Sequence, residues 1–322
     1  MNFSNELKDK VLKGYKITKE EALRLYSEPS QELFMAANEI REGFMGDKVD
    51  LCSIVNGKSG RCTENCTYCA QSIHFNTGVK EYSLLPYEEI KSQAKENQDE
   101  GVDRFSIVTS GKALIGKDFE GIVDYYKRLN DECSISLCAS HGILDENSLV
   151  KLKEAGVKRY HHNVETSKNY YNKICTTHTY EDRINTINIA KKVGFEICSG
   201  GIIGLGECRE DRIDMSIELE RLEVFSIPIN ILMPMKGTPL ENQEPLSEDE
   251  ILRTIAIFRF INPKSNIRLA GGRNKLENYG DKAFKAGANA TITGNLLTTC
   301  GNNVCDDRKM INNLGLKVKE II

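Results

Sequence analysis

The sequence predicts an α/β protein: a (β/α)8 barrel of the TIM type with an amino-terminal helical extension. Three observations carry that prediction. Eight short runs rich in β-branched residues recur along the chain, and charged segments with helical spacing of apolar residues lie between them. The length of 322 residues also suits one such barrel, for which roughly 250 residues is typical.

The extension comes first. Between residues 5 and 45, Leu23, Leu25, Leu33, Phe34, Ala37 and Ile40 fall at helical spacing, and Pro29 divides the pattern into two helices. Strands are then expected at 49–55 (VDLCSIV), 104–110 (RFSIVTS), 134–140 (SISLCAS) and 159–165 (RYHHNVE). Four more follow at 195–203 (FEICSGGII), 224–232 (VFSIPINIL), 266–272 (NIRLAGG) and 290–295 (ATITGN). Helical patterns between them include YEEIKSQAKENQDEG, DFEGIVDYYKRLN, DENSLVKLKEAG, EDRINTINIAKKVG and EDEILRTIAIFRFI. Several end at a Gly, the residue that most readily takes the left-handed conformation just past a helix. No low-complexity tract or Pro-, Gly- or Ser-rich linker interrupts the alternation. The expected division is therefore an extension over residues 1–45 and a barrel domain over residues 46–322. In such a barrel the chemistry gathers at the carboxyl ends of the strands and in the loops after them.

Charge and hydropathy narrow the function classes. The 43 basic and 47 acidic residues give a net charge of -4 and are spread along the chain. No basic stripe is available to neutralise phosphates, so nucleic acid is not an expected partner. No run approaches the roughly 18 apolar residues of a membrane span. The first residues, MNFSNELKDKVLKG, lack the apolar stretch of a secretory signal, so the expected location is the cytoplasm. Eleven cysteines are too many to ignore: their odd number cannot pair completely, and a reducing compartment disfavours structural disulfides. Metal ligation is the natural alternative.

Three of them form a tight group. Cys62, Cys66 and Cys69 stand in GRCTENCTYCAQS as C-x3-C-x2-C, on the loop after the first expected strand. A cubane iron-sulfur cluster normally takes four thiolates, so three from the protein leave one iron open to an outside ligand. Structural zinc is the competing reading; it needs a fourth ligand, and His74 is the near candidate.

With Tyr68 just before the third cysteine, the triplet resembles the signature of the radical S-adenosylmethionine (SAM) superfamily. That resemblance implies a [4Fe-4S] cluster whose open iron binds SAM, and reductive cleavage of SAM to a 5'-deoxyadenosyl radical. Further segments extend the match from about residue 40 to the end: YHHNVETS (160–167), YEDR (180–183), CSGGIIGLGE (198–207), PIN (228–230), KGTPL (236–240), IRLAGGR (267–273) and GNLLTT (294–299). In that order and spacing they are similar to the biotin synthase family. The implied reaction inserts sulfur between two unactivated carbons of dethiobiotin, each activated by hydrogen abstraction at the expense of a SAM molecule. The implied partners are dethiobiotin, SAM, a low-potential electron donor such as flavodoxin or ferredoxin, and a second copy of the chain in a homodimer.

Residue roles follow the same resemblance. Tyr68, Asn163, Glu165, Gly200, Gly201 and Asn230 match SAM contacts, and His161, Asn163 and Asn230 match the substrate's surroundings. His161 stands where the family usually has Asn, and Glu165 where Asp is common. Better-known members hold a second, two-iron cluster on three Cys and an Arg, and this cluster supplies the sulfur. Cys138, Cys198 and Arg268 match three of those positions, but Ser106 replaces the cysteine of the second strand. Serine oxygen is a poor substitute for thiolate on iron. An auxiliary cluster completed by Cys133, Cys300 or Cys305 is therefore expected. A four-iron cluster with an extra sulfide is preferred, and a two-iron site completed by Ser106 or water is the alternative. Other enzymes with the same cysteine signature act in hydrogenase maturation and in lysine mutation for pyrrolysine synthesis; neither is expected to need Cys138, Cys198 and Arg268 together with YHHNVETS. A non-catalytic zinc scaffold predicts colourless protein.

Overall fold

Three helices precede the barrel: α1 (Phe3–Leu12), α2 (Lys19–Leu25) and α3 (Ser30–Met45). Thr18 opens α2 through a reciprocal capping box with Glu21. Pro29 sits at the N-cap of α3, where no helical partner needs its missing N–H. The break foreseen at Pro29 is therefore real, and a second break separates α1 from α2. The computed structural model describes residues 2–295, 297 and 301–319.

The barrel then runs β1 (Lys48–Lys58), α4 (Tyr87–Asp99), β2 (Arg104–Thr109), α5 (Gly116–Glu132), β3 (Ser136–Ser140), α6 (Glu146–Glu154), β4 (Arg159–His161), α7 (Lys168–Ile174) and α8 (Tyr180–Lys192). It continues through β5 (Glu196–Cys198), β6 (Gly201–Ile203), α9 (Arg209–Arg221), β7 (Ser226–Ile231), α10 (Glu248–Ile261), β8 (Asn266–Leu269), α11 (Asp281–Lys285) and β9 (Ala290–Thr293). Last come α12 (Val304–Asn313) and β10 (Lys317–Val318). Named strands pair in parallel, and β1 meets both β2 and β9, which closes the barrel. Gly101, Gly156 and Gly194 end helices at φ of 74°, 96° and 93°, as the Gly placement predicts.

Three features depart from the expected string of elements. The fifth strand is split into β5 and β6, because the chain steps out at Ser199 and Gly200. There the Gly200 N–H donates to Asn163 Oδ1, and its carbonyl accepts from Val164 and Glu165. The fourth strand stops at His161, because Glu165 turns left-handed at φ 68°. At the carboxyl end, β10 pairs with the start of β1, Lys317 against Lys48, and straps the barrel floor.

Two cores hold the molecule. The larger lies between the sheet and its helices. The smaller joins Leu7, Val11, Leu33, Ala36 and Ile40 of the extension to Ile213, Ile257 and Phe260 of α9 and α10. Helix α10 is therefore buried on both sides, which explains its nearly unbroken IAIFRFI run. Its Arg259 is fully buried but satisfied, donating to the carbonyls of Gly287, Asn262, Pro263 and Ser265 and to Asn289 Oδ1. Among the described residues, no helix is long and apolar enough to cross a membrane.

Candidate active site at the mouth of the barrel

The loop after β1 carries the cysteine triplet and is held in shape by its own backbone. Cys62 N–H donates to Gln71 O at 2.9 Å, Ile73 N–H to Cys62 O at 2.8 Å, and Cys69 N–H to Cys66 O at 3.0 Å. Ser72 Oγ ties the loop across to Glu64 O at 2.6 Å. All three thiols are unpaired and line one cavity of about 310 Å3. Burial pushes the Cys62 thiol up and Cys69 up to about 11. Cys66 is raised chiefly by a hydrogen bond with Cys175 and then by burial. His74 turns away, with Nε2 3.0 Å from Thr63 O, so it does not complete a zinc site with the triplet. Three free thiols on one braced loop, all lining one cavity, fit the residues that would hold a cubane cluster by three of its irons.

The opposite wall comes from the ends of β4, β7 and β8. Tyr68, His161, Asn163, Glu165 and Asn230 all line the cavity. Glu165 occupies a left-handed conformation that costs a non-glycine residue energy, a form of strain that collects at functional sites. Arg183 holds it from behind, with Nη1 3.4 Å from Glu165 Oε1 and 3.0 Å from Asn163 O. Asn230 has a structural duty as well, donating to Gly201 O at 3.1 Å and accepting from Gly271 N–H at 2.9 Å. His161 Nε2 is buried without a partner, so it is free to meet a ligand. Gly200 and Gly201 are not among the residues that line the cavity. A Cβ on Gly200 would lie 1.9 Å from Pro228 O, and one on Gly201 2.3 Å from Glu165 O. The absence of side chains at both positions lets this segment pack directly against Pro228 and Glu165.

Beneath the cavity is a second, fully buried group. Ile54, Ser140 and Ala270 line the cavity. Two residues earlier on the same strands or their extensions, and therefore on the same face, stand Cys52, Cys138 and Arg268, each 0% exposed. Arg268, Cys138 and Cys198 all act on the ionisation of Cys52, whose thiol burial pushes up. Asp50 binds Arg268 and lies 3.3 Å from Arg104 and 3.9 Å from Arg159. Burial alone would raise its carboxyl, but these guanidiniums outweigh burial and hold it far below the usual range. Arg159 Nη1 and Ser106 Oγ are buried without partners. Arg159 and Arg104 also pair with Glu196 at 3.0 and 3.5 Å, so Arg268, whose carboxylate partner is Asp50, is the guanidinium that stands beside the thiols of Cys52 and Cys198. The donor set fits an iron-sulfur cluster.

Cys52 was not foreseen as a member of this group, because an isolated cysteine in an apolar strand reads as core. Its signal was the alternation in VDLCSIV: Asp50 shares its face, and a charged residue there marks that face as the lined interior. The expected substitutes lie elsewhere. Cys133 caps the carboxyl end of α5 among Lys91, Lys95 and Asp99, outside the barrel. Cys305 is exposed on α12, and Cys300 lies outside the described residues. Ser106 is in register with Cys138. His141, at the end of β3, keeps that strand in place: Tyr126 OH donates to Cys138 O at 2.9 Å and accepts from His141 Nε2 at 3.0 Å, while His141 Nδ1 accepts from Thr109 at 3.0 Å.

Known proteins agree with this geometry. The chain matches the family described as Radical SAM superfamily over residues 58–217, and the Biotin and Thiamin Synthesis associated domain over residues 228–317. It is 62% identical to the biotin synthase of Clostridium perfringens over 318 residues, covering 99% of this chain and 100% of that one. It is 55% identical to the biotin synthase of Clostridium tetani, covering 98% and 99%. Among solved structures, methylornithine synthase PylB superposes with a TM-score of 0.86 at 21% identity, covering 98% and 97%. The hydrogenase maturase HydG superposes with a TM-score of 0.85 at 17% identity, covering 99% and 76%; both show the shared fold. The full-length likeness, with the radical SAM loop in place, shows that this chain belongs to the biotin synthase family.

Proposed function

We propose that the chain makes biotin with two iron-sulfur sites: one at the rim on Cys62, Cys66 and Cys69, and one at the floor on Cys52, Cys138 and Cys198 beside Arg268. The family's activity is radical SAM sulfur insertion into dethiobiotin, and its cofactors are a four-iron cluster and SAM. Assignment of the floor site rests on one observation: Cys52, Cys138 and Arg268 lie one strand alternation below residues that line the cavity. Substrate held there would have the radical source above it and the sulfur source beneath.

When bound, the reduced rim cluster and SAM supply a radical that removes hydrogen from an unactivated carbon. This chain's residues do the positioning. Glu165 accepts hydroxyl hydrogens, and Asn163 and Asn230 offer the amide atoms that their backbone bonds leave free. Tyr68 provides a flat apolar wall, and His161 meets the polar end of the substrate. Ile54, Val108, Ile143, Pro228, Ala270 and Ile292 exclude water from a carbon radical. A four-iron floor cluster with an extra sulfide suits three thiolates better than a two-iron site that must recruit the poorer oxygen ligand of Ser106.

Residues 1–45 then serve as an extension and residues 46–322 as the catalytic domain. A flavodoxin or ferredoxin type of donor, a homodimer and a cytoplasmic setting complete the proposal; the unpaired state of all described cysteines favours a reducing compartment. The test is anaerobic turnover with dethiobiotin, SAM and a low-potential donor, with biotin measured by mass spectrometry. Biotin formation supports the assignment, and SAM cleavage without biotin overturns it.

A further inference from the structure

Against the rim loop, and reaching the same cavity through Glu64 and His178, lies a buried polar cluster whose Cys175 the proposed function leaves without a role. Cys175 and His178, 3% and 6% exposed, follow α7. Their segment is stitched to the rim loop: Thr67 N–H donates to Ile174 O at 2.9 Å, and Asn65 bonds to Thr176 and Thr177. Cys66 Sγ, Cys175 Sγ and a ring nitrogen of His178 lie within 4.8 Å of one another. His178 Nδ1 is 2.5 Å from Glu64 Oε2 and 3.3 Å from Cys175 Sγ, and Arg183 Nη2 is 3.0 Å from His178 Nε2.

Two sulfurs and an imidazole this close invite a mononuclear metal, but Arg183 argues against one. A guanidinium only donates, so Nε2 must accept, and the ring proton sits on Nδ1 facing Glu64. Neither nitrogen then has a lone pair free for a cation. The group reads instead as a hydrogen-bonded chain from Arg183 and Glu64 through His178 to Cys175, whose sulfur stands within 4.8 Å of the Cys66 sulfur. A Cys66 that ligates iron is a thiolate and can only accept, so of these two neighbouring sulfurs Cys175 is the one able to donate.

We propose that Cys175 donates its S–H to the Cys66 sulfur of the rim cluster, held in position by the Glu64 and His178 pair, and that this bond makes the cluster easier to reduce. The proposal rests on the rim assignment of Cys62, Cys66 and Cys69. A hydrogen bond to a ligating sulfur draws negative charge from the cluster, which favours the reduced state. Cys175 is a positioning residue here, since it touches neither SAM nor substrate.

The test is a potentiometric titration of the anaerobic full-length enzyme, followed by electron paramagnetic resonance of the reduced rim cluster, for wild type, Cys175→Ala, Cys175→Val and Cys175→Ser. In whichever apolar variant retains wild-type iron content, the reduced-to-oxidised ratio at a fixed solution potential should fall about tenfold, equivalent to about 59 mV for a one-electron couple. Cys175→Ser keeps a donor and should recover most of that loss. An unchanged ratio in an iron-replete apolar variant overturns the proposal. So does loss of iron from both apolar variants, because a tuning contact is not required for assembly. Wild-type protein without any rim cluster would instead defeat the rim assignment itself.

Discussion

Asp50 and Arg268 bond to each other across an intervening strand. Both are in register with Ala290 of β9, Asp50 from β1 and Arg268 from β8, and the small side chain between them leaves room for the contact. The pair sits at the base of the thiol group formed by Cys52, Cys138 and Cys198. Removing the carboxylate in Asp50→Asn leaves the buried guanidinium of Arg268 without a counter-ion, while Arg104 and Arg159 keep Glu196. Breaking a buried ion pair this way costs about 3–5 kcal/mol. Urea denaturation of the cluster-free protein should show that loss.

Cys52→Ala should remove the floor cluster and spare the rim. Iron per chain falls, SAM cleavage persists and biotin formation stops. Cys133→Ala and Cys305→Ala should leave iron content unchanged. Mössbauer spectra and sulfide analysis in a Cys62→Ala, Cys66→Ala, Cys69→Ala background read the floor site alone; four irons are expected there, and two would refute the larger cluster.

His141 gives the fold a defined acid weakness. Burial lowers its imidazole to about 3, against about 6.5 in an unfolded chain. Between those values the unfolded chain binds a proton that the native protein refuses, so stability is full above pH 6.5 and declines as pH falls toward 3. The contribution is about 1.4 kcal/mol per pH unit for one proton. His141→Gln should flatten the stability curve over that window, measured by chemical denaturation at several pH values.

Gly200→Ala should destabilise by about 1–3 kcal/mol, since its methyl group meets the Pro228 carbonyl. The thermal midpoint of the cluster-free protein reads this directly. If Gly200 instead mattered only through SAM contact, stability would not change.

Much of this architecture was legible in the sequence. The strand and helix periods, the Gly stops and the break at Pro29 are local signals, and so is the cysteine triplet, whose members lie within eight residues. What escaped notice depended on distant parts of the chain meeting. Cys52 joins Cys138 and Cys198 only when the barrel closes, and its strand otherwise reads as apolar core. Cys175 and His178 gain meaning only against Cys66 and Glu64. The split of the fifth strand was hidden because the carbonyls of Pro228 and Glu165, which exclude a side chain at Gly200 and Gly201, come from distant parts of the chain. The pairing of β10 with β1 at the floor left too short a run, Lys317 and Val318, to stand out.

The split between a one-loop rim and a four-strand floor also sets an order of events during synthesis. A nascent chain barely past β1 already carries every thiol that the rim needs. The floor needs β1, β3, β5 and β8 together, and β1 cannot meet β9 until nearly the whole polypeptide has left the ribosome. The floor site proposed above is therefore the last part of the molecule to acquire its pocket.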